Sequence, residues 1–155
     1  MSDVVVIARR FRGPPDSANG GYACGLLGTR LEAAARVRLN LPPPLDEPLT
    51  VRPATGGHLT LLHGRAVVAE GVAATPHVEI PAPVGIETAE RAATRYRWTT
   101  GHPFPGCFVC GPERHASDGL RIFPGPVAGR AIVAAPWTPD ATVCDASGHV
   151  HPEIL

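Results

Sequence analysis

The stretch NGGYACGLLG, residues 19–28, decides the fold because it puts two adjacent glycines at the start of an apolar run. The run predicts a helix, and Asn19 directly before the glycines is a favoured N-cap residue. Glycine inside a helix costs roughly 1 kcal/mol relative to alanine. Gly20 and Gly21 therefore need a reason to stand in the first turn.

Two explanations account for the glycine pair. A helix begins with unpaired backbone N–H groups and a partial positive charge, and glycines leave those groups accessible. A ligand carbonyl that gains negative charge in a transition state would be stabilised there, as in an oxyanion hole. The other explanation is that the glycines allow close packing of the helix against a sheet. Ser17 and Asp16 are alternative caps, and Asp16 is also a candidate for reaching a ligand.

Length and composition indicate one soluble globular domain built from short elements. The chain has 155 residues, 44% hydrophobic, with 17 glycines, 18 prolines and zero formal net charge. All fourteen basic residues are arginines and they are scattered, which argues against nucleic-acid binding. No signal peptide or membrane-length apolar run is present, so we expect no membrane partner, a cytoplasmic location and mostly reduced cysteines.

Alternation with a period of two predicts an antiparallel sheet around the helix. ARVRLNL, residues 35–41, is predicted to be a half-buried strand, with Val37, Leu39 and Leu41 on its apolar face. The other predicted strands are 3–11, LTVRPA at 49–54, HLTLLHG at 58–64, RAVVAEGVAA at 65–74 and GRAIVAAPW at 129–137, and a second helix is predicted at 86–98.

This order of elements, a strand, a Gly-Gly helix and several antiparallel strands, resembles the hotdog fold. NGGYACGLL resembles the helix-opening His-Gly-Gly motif of the hotdog thioesterase superfamily, with Asn19 in place of histidine. CFVCGPERHASDGLRI, residues 107–122, is similar to the segment that precedes the first strand of many such thioesterases. The whole chain looks like double-hotdog acyl-CoA thioesterase-like proteins of GC-rich bacteria, where GPPDSxNGGY and HPFPxCFVCGP open the two repeats.

The resemblance implies an α+β protein in which a curled antiparallel sheet wraps around a central helix. It implies a first hotdog repeat at 1–75, a linker with a helix at 76–103, and an incomplete second repeat at 104–155. The sequence HPEIL stands where the second helix would begin. We therefore expect a truncated second repeat, or completion by a homodimer partner or another hotdog unit.

The resemblance also implies a site for acyl-CoA or another acyl thioester, with no metal or other cofactor. The N–H groups of Gly20 and Gly21 would hold the thioester carbonyl, and Asn19 would orient water or the carbonyl. Asp16 and Tyr22 are candidate substrate contacts.

The predicted helix has no carboxylate, so Glu153 is the candidate general base, facing the glycines across a cleft. The alternative is that Glu153 is an exposed carboxylate in a first helical turn, favoured there by the dipole. The alternative function is a non-catalytic protein that binds an acyl group or another small ligand.

The cysteines provide weaker candidates. Cys107 and Cys110 have metal-ligand spacing, but no second C-x-x-C exists and no histidine spacing fits a zinc finger. Redox use is disfavoured because Pro112 prevents a thioredoxin-like helix from following the pair. We expect two small buried thiols in a turn. Cys24 is expected to be a structural cysteine of the first helix.

Overall fold

The computed structural model describes residues 3–154, and a five-stranded antiparallel sheet packed against one helix forms its main part. The chain order is β1 Asp3–Val6, α1 Gly20–Gly28, β2 Ala35–Leu39, β3 Pro48–Pro53, β4 Leu59–His63 and β5 Ala66–Ala73. The sheet order is β1-β3-β4-β5-β2, so β1 and β2 form its edges. The predicted α+β arrangement of antiparallel strands packed against a central helix is confirmed, and it is consistent with a hotdog fold.

The core lies between α1 and the sheet. One face of α1 buries Ala23, Leu26 and Leu27 against the strands. Gly71 of β5 allows this close approach, because an added Cβ would lie 3.3 Å from a methyl group of Leu31 and 3.4 Å from one of Leu27. A bulge between β4 and β5 adds local twist, which suits a sheet that curls around a helix.

The second part of the chain is mostly turns and loops. Helix α2, Ile86–Ala93, packs against a two-stranded sheet of β6, Gly125–Pro126, and β7, Val133–Ala134. After α2 the described residues contain no further α-helix. The predicted boundaries 1–75, 76–103 and 104–155, and the truncated second repeat, therefore stay predictions.

A buried arginine ties the loop after α2 to the beginning of the chain. The Arg114 guanidinium donates to the carbonyl oxygens of Gly106 at 2.7 Å and Arg10 at 2.6 Å. It also forms an ion pair with the Asp118 carboxylate at 2.6 Å. Because of these bonds, the segment 106–118 lies against the chain that leads into α1.

The predicted lengths of two elements were wrong for identifiable reasons. Strand β1 ends at Val6, because the next backbone groups bond to Asp46 instead of to a strand. The Asp46 N–H donates to the Ile7 carbonyl, and the Asp46 carboxylate accepts from the Arg9 N–H. Helix α2 ends at Ala93, where the N–H groups of Arg95 and Tyr96 bond to carbonyls three residues earlier instead of four.

Two further predictions about strands differ from the structure. Strand β7 has only two residues, because its partner β6 is equally short and includes a proline that cannot donate to a ladder. In and just after β2, Val37 packs against the core, but Leu39 and Leu41 are 36% and 45% exposed, so the predicted apolar face is buried only in part. Among the described residues, no helix is long and apolar enough to cross a membrane.

Candidate functional site

The start of α1 is capped by Asn19, as the sequence predicts. The Asn19 side-chain oxygen accepts from the Tyr22 N–H at 3.1 Å, and its carbonyl accepts from the Ala23 N–H at 3.0 Å. The N–H groups of Gly20 and Gly21 have no acceptor within residues 3–154. Gly21 is exposed, so its N–H can reach a ligand.

The two motifs of the sequence meet at this capping residue. The Asn19 amide nitrogen lies 3.6 Å from the buried Cys107 sulfur, across 88 positions of sequence. Asn19 therefore joins the helix start to the C-x-x-C turn. Its amide oxygen accepts the cap bond, and its amide nitrogen, which carries two hydrogens, can donate to water or a carbonyl besides the Cys107 sulfur.

The C-x-x-C turn contains free thiols. The sulfurs of Cys107 and Cys110 are 3.7 Å apart, and the Cys110 sulfur is 3.4 Å from Nε2 of His102. Burial, and next the neighbouring Cys107, raise the pKa of the Cys110 thiol to about 11. Over the described part of the chain, no three His, Cys, Asp or Glu side chains form a group that could hold a metal ion.

Glu153 lies on a short helical turn, Pro152–Ile154, that packs against α1. The contact occurs at Gly25, where an added Cβ would overlap the backbone carbonyl of Glu153. Backbone bonds from His151 to Val143 and from Ile154 to His151 hold the turn. Because Gly25 has no side chain, the Pro152–Ile154 turn can pack closely against α1. The turn thereby brings the Glu153 carboxylate to α1, which has no carboxylate of its own.

Gly21 and Glu153 both line two cavities. The larger is an open groove of about 670 Å³, with small residues of α1 and of the segment before β2 on its walls. The smaller has a volume of about 140 Å³ and is mainly apolar. Its other lining residues are Asn19, Tyr22, Phe108, Val109, Leu120, Ile122 and Ile154. A ligand held at Gly21 would therefore be in contact with both cavities.

Tyr22 is part of the smaller cavity. Its ring stacks on Phe11 with centroids 3.9 Å apart, and lies edge-on to Phe108 at 6.3 Å. Burial, and next the negative charge of Glu153, raise the pKa of the Tyr22 phenol. The phenol therefore stays neutral at physiological pH and can donate a hydrogen bond.

Asp16 and Cys24 lie in different surroundings. Asp16 is exposed and lines neither of these two cavities, so its substrate contact stays a prediction. Cys24 lines the larger groove, but burial raises the pKa of its thiol and disfavours the thiolate that a nucleophile requires.

Sequence reasoning missed Gly25 and the apolar walls of the smaller cavity. Gly21, Gly25 and Gly28 are spaced by four and three, which puts them on one helix face, and this spacing could have revealed a close contact. The walls at Phe108 and Ile122 had no comparable local indication, because they approach α1 only in the folded chain.

Comparisons with known proteins give one partial similarity. No family model and no curated protein matches the chain. Among solved structures, the chain is similar to the crystal structure of a thioesterase superfamily protein, with 22% sequence identity and a TM-score of 0.37. The alignment covers 45% of this chain and 47% of the other, about half of each.

Proposed function

We propose that this protein is a hydrolase of acyl thioesters, such as acyl-CoA, in which the start of α1 holds the thioester carbonyl. One observation carries the proposal. Gly21, with an N–H that has no acceptor in the described chain, and Glu153, with a carboxylate, line the same two cavities. A carbonyl-binding group and a candidate base beside one cleft are the two components that this hydrolysis needs.

In the proposed reaction, the N–H groups of Gly20 and Gly21 bind the carbonyl oxygen and stabilise its negative charge. Glu153 takes a proton from water as the water oxygen bonds to the carbonyl carbon. The tetrahedral intermediate then collapses, the carbon–sulfur bond breaks, and Glu153 returns the proton to the departing sulfur. Asn19 fixes the helix start and presents its amide nitrogen, and Tyr22 lines the acyl side of the site.

The proposed function includes pairing of this chain with a second hotdog unit. Strand β2 is an edge strand, and Leu39 and Leu41 are exposed in and just after it. An open edge with apolar residues suits pairing with a second copy or with another hotdog unit. Light scattering of the purified chain measures whether a homodimer forms.

The test is thiol release from a panel of acyl-CoA substrates. We expect Glu153→Gln to lower kcat by about 10²–10⁴-fold, because it removes the base. The control is Glu79→Gln, which changes an exposed carboxylate that lines neither cavity, and it should retain full activity. A folded wild-type chain without turnover above background would overturn the hydrolase proposal.

The second candidate is a non-catalytic protein that binds an acyl group or another small ligand, favoured by the absence of a carboxylate on α1 itself. It predicts that Gly21→Val blocks binding of acyl-CoA while Glu153→Gln changes little. Loss of a measurable hydrolysis in Glu153→Gln would eliminate this candidate.

A further inference from the structure

The smaller cavity has a size that sets the substrate range, if the proposed function is correct. We infer that this cavity receives the acyl group and limits it to about six carbon atoms. Gly21, Asn19 and Glu153 supply its polar side, and apolar side chains supply the rest. An acyl group whose carbonyl is bound at Gly21 would point its hydrocarbon part toward the apolar side.

The volume gives the limit. The cavity measures about 140 Å³. An apolar cavity of about 150 Å³ in another protein accommodates benzene, a six-carbon molecule. A short straight or branched acyl group, or a benzoyl group, therefore fills the space. The cavity is partly open, so the further carbons of a longer chain lie outside it and gain no burial there.

The cavity walls are held in place. Phe108 is 1% exposed, and its ring packs edge-on against Phe11 with centroids 5.0 Å apart. The N–H of Leu120 donates to the Phe108 carbonyl at 2.8 Å, and the N–H of Ile122 donates to the Val109 carbonyl at 2.9 Å. Because close-packed side chains resist expansion, a longer acyl chain cannot widen the cavity without disturbing these contacts.

The larger groove provides the complementary space. It shares Gly21 and Glu153 with the smaller cavity, has about 670 Å³ and is open to solvent. Half of its lining residues are glycine or alanine. Because these side chains are small and the groove is open, it has room for a long group that also contacts solvent. The thiol part of the substrate occupies this groove, and the acyl part occupies the smaller cavity.

Equilibrium binding of 2-oxoalkyl-CoA thioethers tests the limit without turnover, because they carry a carbonyl but no thioester bond. Calorimetry across acyl equivalents of two to twelve carbons should show affinity rising roughly fourfold per methylene up to about six carbons. Beyond that length the rise should stop. A steady rise through twelve carbons, or no binding at all, would overturn the inference.

A matched pair of variants locates the limit. Ile122→Ala shortens a wall side chain and enlarges the cavity. The break, which is the chain length at which affinity stops rising, should then move to chains about two or three carbons longer. Ile132→Ala makes the same change at another half-buried isoleucine, outside the cavity, and should leave the break unchanged. If Ile122→Ala does not fold, Ile122→Val should move the break by about one carbon. An unmoved break in a folded Ile122 variant would also overturn the inference.

Failure of the hydrolase proposal gives a different result. Thiol release from ordinary acyl-CoA is measured separately on the same preparations. If affinity stops rising at about six carbons but no thiol is released, the hydrolase proposal is wrong and the inferred acyl limit stands. Hydrolysis without a break would retain the enzyme and assign the acyl group to the larger groove.

Discussion

Two glycines of α1 should respond in opposite ways to the same substitution. Gly28→Ala adds a methyl group 3.8 Å from side-chain atoms of Ala35 and Val37, which is ordinary van der Waals contact. Alanine also favours the helix by roughly 0.5–1 kcal/mol over glycine. We therefore expect Gly28→Ala to stabilise the fold by about that amount, which corresponds to an increase in Tm of about 2–3 °C.

Gly25→Ala places the methyl group against the backbone of Glu153, including its Cα at 3.0 Å. Backbone atoms cannot move aside as a flexible side chain can, so the turn Pro152–Ile154 must shift. Forcing a methyl group into such a contact typically costs about 1–3 kcal/mol, which exceeds or cancels the gain in helix propensity. Gly25→Ala should therefore leave Tm unchanged or lower it by up to about 6 °C.

Thermal unfolding followed by circular dichroism measures both variants, and thiol release measures their activity. The shift of Glu153 should lower hydrolysis in Gly25→Ala by up to about 10²-fold, because a displacement of about 1 Å is enough for such a loss. Gly28→Ala should keep wild-type hydrolysis. Equal increases in Tm for the two variants would refute the contact between α1 and the Glu153 turn.

Two further predictions concern the segment 106–118, which lies against the chain that leads into α1. Arg114→Met removes the donor to two carbonyl oxygens and should cost about 3 kcal/mol in urea unfolding, whereas Asp118→Asn, at a half-exposed partner, should cost under about 1 kcal/mol. Similar losses for both variants would show that the ion pair, rather than the carbonyl bonds, holds the loop. Cys110, with a pKa of about 11, should react with iodoacetamide about tenfold faster per pH unit between pH 7 and 10, because only the thiolate reacts. A plateau below pH 9 in peptide mass spectrometry would contradict the raised pKa.

The elements that the sequence predicted well depend on local chemistry. Asn19 caps α1 because its own side chain reaches the N–H of Tyr22, three residues later. The boundary between the predicted strands 58–64 and 65–74 falls at the turn between β4 and β5, where Gly64 has a φ of 58°, a conformation that glycine adopts without cost. In both cases the interacting groups are neighbours in sequence, and a pattern of a few residues was sufficient.

The features that the sequence did not reveal depend on distant contacts. Leu39 and Leu41 alternate as residues of a buried face, yet they stay 36% and 45% exposed, although a methyl group of Leu39 lies against Gly20 of α1. Phe108 and Ile122 form cavity walls only in the folded chain, where Arg114 holds the segment of Phe108 and a backbone bond to Val109 holds Ile122. The sequence suggested Glu153 as a base, and the structure puts it at the same cavities as Gly21, but its catalytic role stays a proposal.

The docking of the Glu153 turn on Gly25 has a consequence for folding. The helix and the sheet are formed by residues 3–73, whereas the carboxylate comes from near the other end of the described chain. Contacts between such distant positions form late, because closing a long loop costs entropy before the contact stabilises it. A chain with an ordered sheet and helix would therefore still lack its candidate base until the last turn docks. In a refolding experiment, hydrolysis should appear after the β-sheet signal. The delay between the two signals would measure how long the Pro152–Ile154 turn takes to dock on α1.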